Sequence, residues 1–296
     1  MNFQHSTPNA QLVETHAHLD YPDFANDLDD VLRRAIDVGV TRIVTIGTSV
    51  KSSRRVVDLA EKYSNIYAVI GVHPTSAEEA AEDIITPLRD LAQSRRVVAI
   101  GETGLDYHHL PSVEAAKQKN VQVFSALQSG TEEQLEASIE DGAYKSKQAD
   151  LFEEQLDLAA ELGLNVVIHQ RDAWDDTLEI MKPYTGKVRG VFHCFGGTAE
   201  QAGEVLDLGH LVSFTGIVTF KNGASVREVA TQIPLGKFMV ETDCPYLAPV
   251  PFRGKRCEPA YTRLVADSIA TARGISLEDV AEMTTQTAEE FFRFNR

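Results

Sequence analysis

Short apolar runs that each end in a histidine or a carboxylate are the feature that most constrains this chain. The first run, at 12–15, leads into His16 and His18, and residues two apart on a strand point to the same face. Four further runs end in the same way, at Glu102, His169, His193 and Asp243. Because the carboxyl ends of parallel strands converge in a barrel, these endings predict a metal site at one rim of a repeating strand-and-helix fold.

The spacing of the apolar runs predicts eight strands, each followed by a segment long enough for a helix. Runs without polar breaks, such as 43–46, are typical of a parallel sheet that is buried on both faces. Helical spacing over 25–38 stops at Gly39, and helical spacing over 151–162 stops at Gly163. The strands are expected at 12–15, 41–47, 66–72, 97–101, 165–169, 188–193, 211–217 and 237–242.

We therefore predict an α/β fold, a (β/α)8 TIM barrel that forms one domain over residues 1–296. A chain of 296 residues with 43% hydrophobic content can supply a barrel of ~250 residues and one insertion. A doubly wound open sheet is the alternative, but its phosphate-binding GxGxxG fingerprint is missing.

A polar insertion at about 108–147 separates the fourth strand from its helix. Apolar residues at 121, 124 and 127, then at Leu135 and Ile139, predict amphipathic helices on either side of 129–130. The insertion follows the strand that ends in Glu102, so it should lie on the rim of the predicted site. We weigh two roles for it equally: a lid or wall that contacts the substrate, and a solvated decoration.

Composition limits the partners and the compartment. A net charge of -16 argues against protein-wide attraction to nucleic acid, although a local basic patch remains compatible with it. The three cysteines form no CxxC pair and favour a reducing compartment over a disulfide framework. The start of the chain lacks the pattern of a signal peptide, and no apolar stretch approaches the ~18 residues of a membrane span. We expect a cytoplasmic protein with no membrane partner, and a monomer is compatible with the sequence.

The predicted ligands are four imidazoles and two carboxylates, a set that suits Zn²⁺, Mn²⁺, Fe²⁺, Co²⁺ or Ni²⁺ and is too rich in nitrogen for Ca²⁺. Any one histidine in such a place would more often be a packed core residue, but six coincident strand ends favour a site. Six ligands exceed the needs of one tetrahedral ion. Two ions about 3.5–4 Å apart, bridged by Glu102, would use them all.

Six motifs in order resemble the TatD family of metal-dependent hydrolases, which belongs to the amidohydrolase-like barrels. The resemblance runs from about residue 12 to the C-terminus, apart from 107–148. The motifs are THAHLD (15–20), GVHP (71–74), AIGETGLDY (99–107), VIHQRDA (167–173), VFHCFGG (191–197) and VETDCPYLAP (240–249).

The resemblance implies two divalent metal ions per chain, with Mg²⁺ added to the candidates above. His16, His18, Glu102 and Asp243 would hold the first ion, and Glu102, His169 and His193 the second. The implied reaction is phosphodiester hydrolysis, commonly of DNA from the 3′ end, by a metal-bound hydroxide. Asp243 would also act as the general base. Glu241 is assigned a supporting catalytic role, either orienting water or supporting a ligand.

Five residues are predicted to contact a nucleic-acid substrate, namely DNA ends or single strands. His73 is expected to touch the scissile phosphate rather than a metal. Arg171 could bind phosphate oxygens or form a surface salt bridge, and we weigh the two equally. Arg253, Lys255 and Arg256 form a cationic patch after the last strand. The nearby Cys257 stands where members of the family commonly have asparagine.

Two alternatives to a nuclease stay open. A hydrolase of the same architecture could cleave an acyl or amide bond, for example in misacylated tRNA, because a metal-activated water attacks carbonyls as well. A barrel that binds without catalysis ranks last, because every ligand position is filled. Cys194 and Cys244 each follow a predicted ligand, and both are expected to be small buried hydrophobes rather than nucleophiles or ligands.

Overall fold

The computed structural model describes residues 10–118 and 132–294 and contains eight parallel strands in the order β1 to β8. A parallel bridge between Ala17 and Cys244 brings β1 beside β8, so the sheet is nearly closed into a barrel. The predicted (β/α)8 barrel is confirmed. The strands are β1 (Leu12–Ala17), β2 (Val40–Ile46), β3 (Ile66–Ile70), β4 (Val97–Asp106), β5 (Asn165–Arg171), β6 (Gly190–Phe192), β7 (Leu211–Phe214) and β8 (Phe238–Val240).

Helices follow the strands and pack around the barrel. In the described part of the chain, no helix combines the length and the apolar character that a membrane span requires. The helices are α1 (Leu28–Asp37), α2 (Val50–Lys62), α3 (Ile85–Leu91), α4 (Pro111–Gln118), α5 (Glu132–Leu162), α6 (Trp174–Met181), α7 (Ala199–Asp207), α8 (Ala224–Gln232), α9 (Thr262–Arg273) and α10 (Leu277–Phe292).

The hydrophobic core has two layers, because the strands bury both faces. Side chains such as Val44 and Val167 fill the barrel interior, while the opposite strand face packs against the helices. The end of α10 closes the amino-terminal mouth of the barrel. There the Phe291 carbonyl accepts a hydrogen bond from the Asn165 side chain, and Phe294 packs against Tyr67. The opposite mouth is therefore the open one, and it carries the predicted site.

Two helix boundaries differ from the sequence-based expectation. Helix α1 begins at Leu28 rather than 25, since a 3-10 turn at Pro22–Phe24 precedes it. The helix expected at 151–162 begins at Glu132, so it includes part of the predicted insertion. Leu135 and Ile139 lie on this helix and are exposed. The apolar positions 121, 124 and 127 and the expected break at 129–130 lie outside the described residues.

Strand β4 runs five residues beyond its expected end, to Asp106. Gly101 and Gly104 make this possible, because both have positive φ and β5 approaches closely. A Cβ at Gly104 would lie 2.0 Å from the His169 carbonyl oxygen, and one at Gly101 would lie 2.5 Å from that of Val167. The extension carries Asp106 to the open rim.

Candidate metal centre

The two carboxylate oxygens of Glu102 face two separate sets of imidazoles. Oε2 lies 3.3 Å from His16 Nε2 and 3.9 Å from His18 Nε2, on the β1 side. Oε1 lies 2.9 Å from His169 Nδ1 and 2.6 Å from His193 Nε2, on the β5 and β6 side. This division is the arrangement that a carboxylate bridging two cations requires.

Asp243 completes the β1 side of the cluster. Its Oδ1 lies 3.3 Å from His18 Nε2 and 3.7 Å from His16 Nε2. Strand β8 ends at Val240, earlier than expected, and Asp243 has a left-handed backbone with φ of 60°. Its N–H donates to the His16 carbonyl at 3.0 Å, which holds this uncommon conformation in place. All six predicted ligands therefore meet at the open rim.

The outer ring nitrogens of three histidines face groups that orient the rings. His18 Nδ1 lies 3.3 Å from the Ile46 carbonyl, His169 Nε2 lies 3.1 Å from Asp106 Oδ2, and His193 Nδ1 lies 3.6 Å from Glu241 Oε1. Metal-bound histidines commonly present their second nitrogen to a carbonyl or a carboxylate. The opposite nitrogen of each ring is thereby left for the centre of the cluster.

Asp106 is a functional candidate that the sequence analysis missed. Its side chain is buried, and besides His169 it accepts hydrogen bonds from the backbone N–H groups of His108 and His109. His109 Nδ1 lies 2.9 Å from the same Oδ2 that faces His169. Burial opposes ionisation, but the hydrogen bonds from His169 and His109 outweigh it and lower the pKa of Asp106. The residue lies in the quoted AIGETGLDY motif, and the expected strand end at 101 hid its place on the rim.

The ionised carboxylate of Glu102 and the buried ring nitrogens of His16 make the cluster suitable for divalent cations. Burial alone would raise the pKa of Glu102, but the imidazoles of His193, His73 and His16 hold it well below its usual value. Both ring nitrogens of the fully buried His16 lack a hydrogen-bond partner among the described residues. A buried polar atom without a partner is costly, and a cation bound beside Glu102 and Asp243 would satisfy His16 Nε2. Four imidazoles and two carboxylates are a suitable donor set for such ions.

Glu14 joins the two strands that carry the β1 side of the cluster. Its Oε1 accepts hydrogen bonds from the backbone N–H groups of His16 and Thr242, at 2.9 and 3.0 Å. Burial raises the pKa of Glu14 to about 8, against the opposing effect of these hydrogen bonds. The Thr262 hydroxyl also lies 2.7 Å from the Pro259 carbonyl, which can only accept. A protonated Glu14 that donates through Oε2 to the Thr262 oxygen satisfies every one of these contacts.

His73 lies beside the cluster, with Nε2 3.4 Å from Glu102 Oε1. Its position fits a third group of possible ligands, made with Glu102 and His169. The Thr75 backbone N–H, however, donates to His73 Nδ1 at 3.1 Å. In the neutral ring, Nε2 must then carry the hydrogen, and it can donate to a substrate but cannot bind a metal. The geometry thus favours substrate contact over ligation.

An open cleft of about 790 Å³ lies over the cluster. Glu78, Glu114 and Glu140, from the β3 and β4 sides of the rim, line it and are called the acidic wall below. Arg171 also lines the cleft, and it is the one Lys or Arg among the described lining residues. Glu114 and Glu140 lie on α4 and α5, so the described part of the insertion forms a wall of the cleft.

The predicted basic patch is not part of the lining that the structure describes. Arg256 donates to Asp27 at 2.7 and 2.8 Å, and Arg253 lies over the Phe220 ring at 3.7 Å. Lys255 is exposed on the same loop. Arg256 pairs with Asp27 because the acidic surface of the protein places this carboxylate beside its guanidinium. The prediction that Arg253, Lys255 and Arg256 contact substrate stays a prediction.

Glu241 and the cysteines lie behind the ligands. The Glu241 carboxylate accepts hydrogen bonds from the Cys194 N–H at 2.7 Å and from the Thr15 hydroxyl at 3.4 Å. It is 1% exposed, and His193 Nδ1 lies 3.6 Å from its Oε1. This placement fits the supporting role rather than direct contact with a substrate. Burial raises the pKa of Cys194 to about 12 and that of Cys244 well above its ordinary value. Both thiols are therefore poor nucleophiles, as expected.

The chain is similar to known proteins over nearly its whole length. The family model for TatD related DNase matches residues 13–293. The metal-dependent hydrolase YabD of Bacillus subtilis (strain 168) is 38% identical over 96% of this chain and 100% of its own length. A protein of Pantoea vagans (strain C9-1) named 3'-5' ssDNA/RNA exonuclease TatD is 34% identical over 95% of this chain and 99% of its own length.

The fold comparison agrees with these matches. The crystal structure of YjjV, a TatD homologue from Escherichia coli K12, superposes with a TM-score of 0.80 at 26% identity. The match covers 96% of this chain and 99% of that protein. The family model spans nearly all of the chain, and the predicted ligands lie at the open rim of the matching barrel. This chain is therefore a metal-dependent hydrolase of the TatD family.

Proposed function

We propose that the protein is a deoxyribonuclease that removes nucleotides from the 3′ ends of single-stranded DNA, using two divalent metal ions. The observation that carries the proposal is the division of Glu102 between two sets of imidazoles at the floor of an open cleft. Two adjacent cations can stabilise both the attacking and the leaving oxygens of a phosphodiester. The name of the Pantoea vagans relative supports the same substrate.

The bound ions would supply Lewis-acid polarisation of the phosphate and activation of water. Asp243 would accept a proton at a carboxylate oxygen, because its side chain is 16% exposed whereas that of Glu102 is 4% exposed. His73 would donate its Nε2 hydrogen to a phosphate oxygen. Arg171 would offer a guanidinium to the same group from the β5 side of the cleft.

The acidic wall supports a substrate end rather than a long strand. Three carboxylates on one side of the cleft repel a continuous row of phosphates, and the net charge of -16 adds to that repulsion. A strand end needs to place only its last phosphates over the cluster. The wall thus favours cleavage at ends over cleavage within a strand.

The direct test measures nucleotide release from 5′-labelled single-stranded and duplex DNA by the metal-loaded protein, with EDTA as the control. We expect stepwise shortening from the 3′ end of the single strand, loss of activity with EDTA, and loss of most activity in Asp243→Asn with the fold retained. Absence of release with every divalent metal tried would overturn the proposal.

A second candidate is hydrolysis of an acyl ester, such as an aminoacyl-tRNA. The acidic wall is the observation that favours it, because three carboxylates complement a protonated α-amino group. Replacing Glu78, Glu114 and Glu140 with Gln separates the candidates. The change should speed DNA hydrolysis if the protein is a nuclease, and slow amino-acid release if it is a deacylase. A matched control places the same three changes at Glu278, Glu282 and Glu289, which line a groove along α10.

A further inference from the structure

We propose that Tyr246, supported by Tyr21, is a stacking platform for a nucleobase next to the scissile phosphate. This inference rests on the proposed nuclease function and deepens it by naming how the cleft recognises a strand end. The two residues follow β8 and β1 respectively, and both line the cleft.

A continuous set of rings connects the metal cluster to the cleft surface. The Tyr21 ring stacks on the His18 imidazole, with centroids 4.8 Å apart and planes 19° apart. Tyr246 meets Tyr21 edge to face, with centroids 6.3 Å apart and planes 79° apart. Both separations are within the range of favourable aromatic pairs. The position of Tyr246 is therefore defined relative to a predicted ligand.

The backbone also fixes Tyr246 close to the cluster. Its N–H donates to the Asp243 carbonyl at 3.0 Å, which makes a tight turn directly after this ligand. The Cys257 N–H donates to the Pro245 carbonyl at 2.9 Å and holds the outer side of the loop. Because the backbone is already held, binding a partner at Tyr246 needs no ordering of the loop.

Tyr246 is 54% exposed, whereas Tyr21 is half-buried. A single exposed aromatic residue on a protein surface needs no special explanation. Tyr246 differs from such a residue because it lines the cleft and because it stands three residues from Asp243. An aromatic face beside a phosphate site is suited to the base of the same nucleotide, since every base has a π-face.

The order of the strands places this platform away from the acidic wall. Strands β8 and β1 are neighbours, while β3 and β4, whose loops lead to the wall, lie across the barrel. A base can therefore stack on the β8 side while its phosphate lies over the metal cluster. Bases in a duplex are already stacked on one another, so a platform of this kind favours single-stranded ends.

The test compares kcat/KM for two single-stranded oligonucleotides, one ordinary and one whose two 3′-terminal nucleotides are abasic. For the ordinary substrate, we expect Tyr246→Ala to lower kcat/KM about tenfold, in line with the ~1–3 kcal/mol per base of aromatic stacking. For the abasic substrate, wild type and Tyr246→Ala should be equal. Tyr246→Phe keeps the ring and should behave as wild type on both.

Tyr184→Ala is the matched control, since Tyr184 is a partly exposed tyrosine after α6 that does not line the cleft. An equal loss on both substrates in Tyr246→Ala, or no loss on either, would overturn the platform while leaving the nuclease intact. A wild-type protein that cleaves neither oligonucleotide would instead overturn the proposed function. Binding of a 3′-terminal phosphorothioate oligonucleotide gives a second readout, and Tyr246→Ala should weaken it to a similar extent.

Discussion

At the residue scale, the predicted ligands at the strand ends were easier to predict from the sequence than the residues that hydrogen-bond to those ligands from behind. The predicted ligands converge because parallel strands bring their carboxyl ends together, and that rule needs only the strand positions. Asp106 escaped the prediction because its role depends on how far β4 extends along β5. That distance is set by close contacts at Gly101 and Gly104, which no periodicity in the sequence expresses.

Asp106 should control the metal affinity of His169. Asp106→Ala removes the carboxylate 3.1 Å from His169 Nε2 and should weaken metal binding about 10–100-fold, the usual cost of losing such a partner. Asp106→Asn should recover part of the affinity, because an amide oxygen still accepts the ring N–H. Titration against a chromophoric chelator measures the effect. Asp172→Ala is the control, since Asp172 pairs with His108 at the rim, and equal affinities in all three variants would contradict the role.

His210, immediately before β7, should make stability fall with acid. Burial, and secondarily Arg189, lowers its pKa to about 4, whereas the unfolded chain has an ordinary imidazole. The unfolded state therefore binds more protons between these values, and stability falls as pH drops from about 6.5 towards 4. The loss at pH 4 should be about 3 kcal/mol.

The comparison with His210→Gln isolates this contribution, because Gln can still accept the Gly190 N–H without titrating. Titration of the histidines and carboxylates in the cleft affects the stability of both proteins equally, so it cancels in the comparison. Urea unfolding at pH 7 and pH 4 should show the wild type losing about 3 kcal/mol more than the variant. Parallel losses in the two proteins would show that His210 does not set the acid limit.

At the element scale, the closure of β1 against β8 depends on Glu14. Glu14→Ala leaves two buried N–H groups without an acceptor and should cost on the order of 3 kcal/mol of unfolding free energy. Glu14→Gln should cost less than about 1 kcal/mol, because an amide, like a protonated carboxyl, offers an accepting oxygen on one side and a donor on the other. Chemical denaturation measures both. If Glu14→Gln lowers the free energy of unfolding as much as Glu14→Ala does, the Glu14 carboxyl is ionised in the folded protein.

The elements themselves were predictable to different degrees. Buried strands such as β2 and β3 match their apolar runs to within two residues, since burial on both faces leaves a clear signal. Strand β8 ends early because the chain turns into the left-handed region at Asp243, a conformation that residue type does not reveal. The start of helix α5 at Glu132 was not predicted, because its first part is polar and exposed and lacks the one-sided apolar pattern on which the prediction relied.

At the scale of the whole molecule, the predicted ligand cluster differs in charge from the protein surface around it. The protein is strongly acidic, and the acidic wall continues that character to the edge of the cleft. The imidazole cluster, Arg171, Tyr21 and Tyr246 are therefore the features that would receive a nucleic-acid end. The sequence predicted the cluster, and it left Arg171 open between phosphate binding and a surface salt bridge. The ion pair of Arg256 with Asp27 could not be predicted, because Asp27 is distant along the chain.

The central claim is that six residues form a two-ion site bridged by Glu102, and counting metal ions tests it most directly. Mass spectrometry of metal-loaded proteins should find two ions per chain in the wild type and one in each of two double variants, His16→Ala/His18→Ala and His169→Ala/His193→Ala. Glu102→Ala should lose both, while Glu78→Ala, a change in the acidic wall, should keep two. One ion in the wild type, or two ions retained in Glu102→Ala, would contradict the account.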